Sequence, residues 1–127
     1  MERAVEIYVL INCTVIGISH LVQANAWIDF FTLLRSHGRA GAMANGFLSL
    51  SFGSIIVAFH WTWEGVVPIM VTCLGIAQII KSLVAFALPE LSLKSMNRPM
   101  AKNPMGYQIG GALFLLLAAA LAFHLWG

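Results

Sequence analysis

Tyr107 to Trp126 reads YQIGGALFLLLAAALAFHLW, with no Lys, Arg, Asp or Glu along its length. A hydrocarbon core about 30 Å thick takes about 20 mostly apolar helical residues to cross, because a backbone amide in lipid finds a partner only within its own helix. This run meets that length. Working back along the chain, Val66 to Leu88, Gly41 to Trp61 and Val5 to Gln23 meet it too, each bounded by charge, Gly, Pro or aromatic residues. The expected fold class is therefore all-α: a polytopic membrane protein, built as a four-transmembrane-helix bundle with 1–127 forming one membrane domain.

Composition agrees with that assignment. The chain has 127 residues, of which 60% are hydrophobic and 9% charged, against roughly 25% charged in ordinary soluble proteins. A net charge of +2 without a basic helical stripe speaks against nucleic acid as a partner. Cys13 and Cys73 lack the spacing of a zinc site and read as buried thiols. Ala24-Asn25-Ala26 has the small-x-small form of a signal-peptidase site. Glu2 and Glu6 beside Arg3 make a poor basic leader, however, and Asn12 and His20 interrupt the apolar run, so the first helix is expected to be retained.

Charge reports topology. Arg35, Arg39, Lys94, Arg98 and Lys102 lie on the face of the first and third connections, and only Arg3 lies on the face of the termini. Positive residues stay cytoplasmic. The expectation is a bacterial-type inner (plasma) membrane protein with both termini on the non-cytoplasmic side and Trp61, Trp63 and Trp126 in an outer aromatic belt. Within the first connection, Trp27, Phe30, Phe31 and Leu34 recur at helical spacing and Gly38 is placed to end the run, which predicts an interfacial helix over about 26–37. The basic connection 89–106, with Pro99 and Pro104, is expected to be irregular.

An internal repeat is also legible. Thr14 to Val22 (TVIGISHLV) matches Thr72 to Ile80 (TCLGIAQII) class by class, and Ala58-Phe59-His60-Trp61 resembles Ala122-Phe123-His124-Leu125, which aligns Gly46 with Gly110. Two duplicated helical hairpins would then be related by a pseudo-twofold along the membrane normal. Small residues supply the packing signals: Ala42, Gly46, Ser49 and Gly53 on the second span, Gly17 and Gly75 on the first and third, and a GxxxG at Gly106 and Gly110 on the fourth.

Polar residues in a membrane are costly and carry the functional readings. His20, Asn45, Gln78 and Lys81 are expected toward the inner face, as interhelical hydrogen bonds with a snorkelling lysine or as a polar pocket that binds an anion or lipid headgroup. His60 and His124, at equivalent ends of the repeated hairpins, are the candidate ligands for haem or a divalent metal, with Glu64 as a possible third oxygen donor. Hydrolase, nucleotide-binding and zinc-protease motifs are absent, so no catalytic residue is assigned and an enzyme is not expected. Two function classes follow. The leading one is a non-enzymatic accessory, scaffold or homo-oligomeric subunit, partnered by the lipid bilayer and by itself or another membrane protein. The other is a small transporter, channel or membrane ligand- or haem-binding protein using the polar residues between the helices.

Overall fold

A computed structural model describes residues 1–127. The chain forms α1 (Glu2–Val22), α2 (Ala24–Ser36), α3 (Arg39–Phe59), α4 (Val66–Ala87), α5 (Pro89–Met96) and α6 (Pro104–Trp126), with a 3-10 turn at Pro99–Lys102. Four of these, α1, α3, α4 and α6, are long and apolar enough to cross a membrane. They alternate in direction. Both termini and the turn between α3 and α4 therefore lie at one end of the bundle, the termini end. At the other, α2, α5 and the 3-10 turn form a collar.

The four long helices pack as two pairs, α1 with α6 and α3 with α4, while the pairs touch one another sparingly. Glycine explains the pairing. A Cβ added at Gly111 would come within 2.7 Å of the Gly17 carbonyl oxygen, and one at Gly53 within 2.8 Å of the Gly75 carbonyl oxygen. Only a missing side chain allows backbones so close, and in lipid such close van der Waals approach is what binds helices together. Ala42, Gly46, Ser49 and Gly53 are all buried on α3, as the seam predicted. Gly106 and Gly110 behave differently from expectation. Gly106 abuts the Met100 carbonyl of the preceding turn, and a Cβ on Gly110 would meet nothing within 4 Å. Gly111, one position on, is the residue turned toward α1.

The apolar core gathers at the termini end. It comprises Val5, Val9 and Cys13 of α1, Ile56 of α3, Val71 of α4, and Ala118 and Leu121 of α6. There the two pairs meet. Cys73, by contrast, is exposed: it follows Thr72 by one residue, and a step of about 100° around the helix carries it from the packed face to the outside.

The collar ties the connections together. Arg35 Nη1 donates to the Met96 carbonyl at 2.8 Å, and Arg39 lies 4.0 Å from Glu90 in an exposed pair worth about 0–1 kcal/mol. α2 spans nearly the predicted interfacial helix, and Gly38 at φ +61° turns the chain into α3. The 89–106 connection is more ordered than its prolines suggested. Pro89 and Pro104 stand at the starts of α5 and α6, and Pro99 opens the 3-10 turn. A proline is at home in a first helical turn, where its missing N–H has no intrahelical partner to lose. The Asn103 side chain caps α6 by accepting from the Met105 N–H at 3.0 Å.

Candidate functional site

Because the pairs meet at the termini end and stand apart toward the collar, a cleft of about 450 Å³ opens between them. Four long helices supply its walls: Tyr8, Asn12, Ile16 and His20 from α1; Asn45, Ser49 and Phe52 from α3; Leu74, Gln78 and Lys81 from α4; and Phe114 from α6. Trp27, Phe30 and Phe31 of α2 line its collar end. All four residues expected to form a polar pocket, His20, Asn45, Gln78 and Lys81, thus line a single cavity.

The fixed parts of that cavity are aromatic. The Trp27 indole Nε1–H donates to Ser19 Oγ at 2.8 Å, and its ring stacks on His20 with centroids 4.3 Å apart. His20 Nδ1 lies 2.8 Å from the Ile16 carbonyl. Since a carbonyl only accepts, Nδ1 carries the hydrogen, and Nε2 of the neutral ring is left as an acceptor toward a ligand. Behind the lining residue Phe31, Tyr107 stacks on its ring and donates its hydroxyl to the Ala101 carbonyl at 2.8 Å.

Electrostatically the cleft is one-sided. Lys81 is its single fixed charge, and no Asp or Glu lines it. The ion pairs of the chain lie elsewhere, between Arg39 and Glu90 and around Glu6. Lys81 thus stands at the exposed margin of the cleft with no carboxylate lining the cavity beside it.

A second polar cluster sits at the termini end, and its central residue escaped the sequence reading. Glu6 of α1 is buried. One carboxylate oxygen lies 3.5 Å from His60 Nε2 and the other 3.5 Å from His124 Nε2. His60, at the end of α3, has no exposed surface, whereas the His124 side chain is 38% exposed. The two histidines are therefore unequal, and each faces the same acid rather than an open space between them. No group of three His, Cys, Asp or Glu side chains is disposed to hold a metal ion. Glu64 is exposed on the turn, and Glu6 is the acid that the histidines meet. One signal pointed to it: Glu6, Val9, Cys13 and Gly17 follow at steps of three, four and four, so an acid shares the packed face of α1.

The other side of His60 is held by Thr72. Its Oγ1 lies 2.9 Å from His60 Nδ1, 3.0 Å from the Thr62 carbonyl and 3.1 Å from the Pro68 carbonyl, and accepts from the Thr62 N–H at 3.3 Å. This hydroxyl ties α4 to the turn that ends α3.

Comparison with family models, curated proteins and solved structures gives no match for this chain. Function is therefore argued from these two clusters.

Proposed function

We propose that the chain is a multi-pass inner-membrane protein that binds an amphipathic organic anion in the cleft between its helix pairs. The observation that carries this reading is Lys81, a lone cation in an otherwise neutral, largely apolar cavity. Lys81 is exposed at the cleft and has no acidic partner there, so an anionic headgroup can form a charge-assisted contact with it while its apolar body enters the cavity. The volume falls within the range of about 300–1,000 Å³ usual for small-molecule sites. Aromatic rings from α1, α2, α3 and α6 suit an apolar body, while His20, Asn45 and Gln78 offer hydrogen bonds beside the charge. A scaffold has no use for such a cavity, which is why the ligand-binding class is preferred.

Membrane insertion is supported by the apolar side chains that the long helices turn outward, among them Val15, Phe47, Leu83 and Leu116. The basic residues of the collar support a cytoplasmic collar and termini on the opposite side. The cleft then opens toward the cytoplasm. Duplication is supported by the paired glycines: the sequence offset from Gly17 to Gly75 is also that from Gly111 back to Gly53. The neighbours of Gly111 (Gly17, His20, Leu21) correspond at this offset to those of Gly53 (Gly75, Gln78, Ile79). This register replaces the alignment of Gly46 with Gly110 and makes Ala118, not His124, the counterpart of His60.

Binding is tested on purified protein carrying Trp61→Phe, Trp63→Phe and Trp126→Phe, so that Trp27 alone reports. Oleate and dioleoylphosphatidylglycerol, a free and a lipid anion, are titrated separately. Saturable change in Trp27 emission is expected for at least one of them. Lys81→Met should weaken it about tenfold or more, the loss of a charge-assisted contact of about 1.5–3 kcal/mol, and Lys81→Arg should retain it. Equal binding by Lys81→Met sinks the proposal.

A further inference from the structure

We infer that His124, Glu6 and His60 form a proton relay that ends on the buried Nε2 of His60, and that loading this site holds the termini end of the bundle closed.

The hydrogen count at Thr72 makes the first part of the case. Its hydroxyl has one hydrogen and two carbonyl acceptors in reach, those of Thr62 and Pro68. Spending that hydrogen on a carbonyl leaves His60 Nδ1–H to donate to Oγ1. Nε2 of a neutral ring then presents a lone pair to a carboxylate oxygen 3.5 Å away. Two acceptors facing each other in an enclosed site are mutually unfavourable. A proton on Nε2 turns the same contact into an imidazolium–carboxylate pair, which is attractive and shortens to hydrogen-bond distance. Independently, His60 Nε2 is one of two buried side-chain polar atoms in the chain without a hydrogen-bond partner, and the other, Thr62 Oγ1, is two residues away.

Exposure gives the relay its direction. His124 is part-exposed, Glu6 is 8% exposed and His60 is enclosed. A proton from solvent hydronium can be taken up by His124 Nε2 and passed to the near oxygen of Glu6; once the carboxyl group has turned about its Cγ–Cδ bond, the same O–H faces His60 and delivers the proton to Nε2. On unloading it returns the same way, so no other reactant is needed. None of the remaining charged groups at this end forms an ion pair with Glu6. Arg3 of α1 donates to the Leu125 carbonyl at 3.4 Å and lies over the Trp126 ring of α6. Glu2 and the Met1 amine at the start of α1, and Glu64 on the turn, are exposed. α4 contributes Thr72 and no charge near the cluster.

The position of the site supplies the coupling. Glu6 and His124 belong to the α1/α6 pair, while His60 and Thr72 belong to α3/α4. The contact of Glu6 with His60 is therefore a polar link between pairs that otherwise meet at this end through apolar packing. A proton that binds the closed arrangement more tightly than an open one must shift the equilibrium toward closure.

The test uses the full chain in detergent micelles with no anion added, so its outcome is independent of ligand binding in the cleft. Imidazole ¹⁵N shifts are followed from about pH 5 to about pH 9, which brackets histidine titration. In a Cys13→Ala, Cys73→Ser background, spin labels on Ala4→Cys and Ala58→Cys report the distance between α1 and α3. His60 is expected to carry hydrogen on both nitrogens at the acidic end, and the label distance to lengthen and broaden as the Nε2 proton leaves. Glu6→Gln should remove the pH dependence of both signals, and His124→Gln should slow proton exchange at His60 about tenfold or more. A His60 ring that stays neutral with hydrogen on Nε2 throughout, a pH response unchanged in Glu6→Gln, or stoichiometric zinc held by the three side chains overturns the inference.

Discussion

Thr72 shows how much structure one hydroxyl can hold. It joins the end of α3 to α4 through His60 and the backbone of Thr62. Valine has nearly the same shape but leaves His60 Nδ1 and the Thr62 N–H and carbonyl without this partner. Thr72→Val should therefore lower unfolding stability in detergent by about 1–3 kcal/mol, the cost of orphaned buried polar groups. Thr72→Ser should recover most of that loss, and equal midpoints for valine and threonine would show the hydroxyl to be idle. At the collar, Trp27→Phe removes the hydrogen bond to Ser19 and should cost about 0.5–1.5 kcal/mol. The sequence made His20, Asn45, Gln78 and Lys81 legible as a group, because a polar residue in an apolar run is conspicuous. Glu6 was not. Near a helix start it looks like any flanking charge, and its burial depends on His60 and His124, which lie far along the chain.

At the scale of helices, small residues announced that backbones approach closely but not which of two adjacent glycines makes the approach. Gly110 completes a GxxxG with Gly106, yet Gly111 faces α1. The motif alone carries no rotational setting, and that setting is decided by where Ala118 and Leu121 are buried on the same helix. The two positions make a paired test. Gly111→Ala drives a methyl into the backbone of α1 and should destabilise the protein by about 1–3 kcal/mol. Gly110→Ala enters open space and should be neutral or stabilising by up to about 1 kcal/mol, since alanine orders a helix better than glycine. Thermal midpoints in one detergent decide it, and similar values for both variants would contradict the close crossing. The 89–106 connection failed in the opposite sense. Its prolines read as breaks, although each begins a helical turn, because a proline that cannot continue one helix is well suited to start the next.

For the whole molecule, the spans, their alternation and the collar follow from hydropathy and charge, whereas the cleft follows from packing that is uneven along the bundle. Valines, Cys13, Ile56 and Leu121 close one end, and at the other the helices carry polar and aromatic residues that hold the pairs apart around a cavity. Such a bundle has a permitted side of approach. With the collar cytoplasmic, Gln78→Cys in a Cys13→Ala, Cys73→Ser background is half-buried on the cleft wall and should react with a membrane-impermeant maleimide in inside-out vesicles. In right-side-out vesicles it should be protected, since a reagent from that side must pass the packed core and the Glu6 cluster. A reporter fused after Gly127 should read non-cytoplasmic in the same cells and one inserted near Lys94 cytoplasmic. Reversed fusions with unchanged cysteine chemistry would invert the topology and leave the cleft. Equal labelling from both sides would mean that the termini end opens freely, and the closed arrangement would then be one of two states that the bundle visits without any ligand.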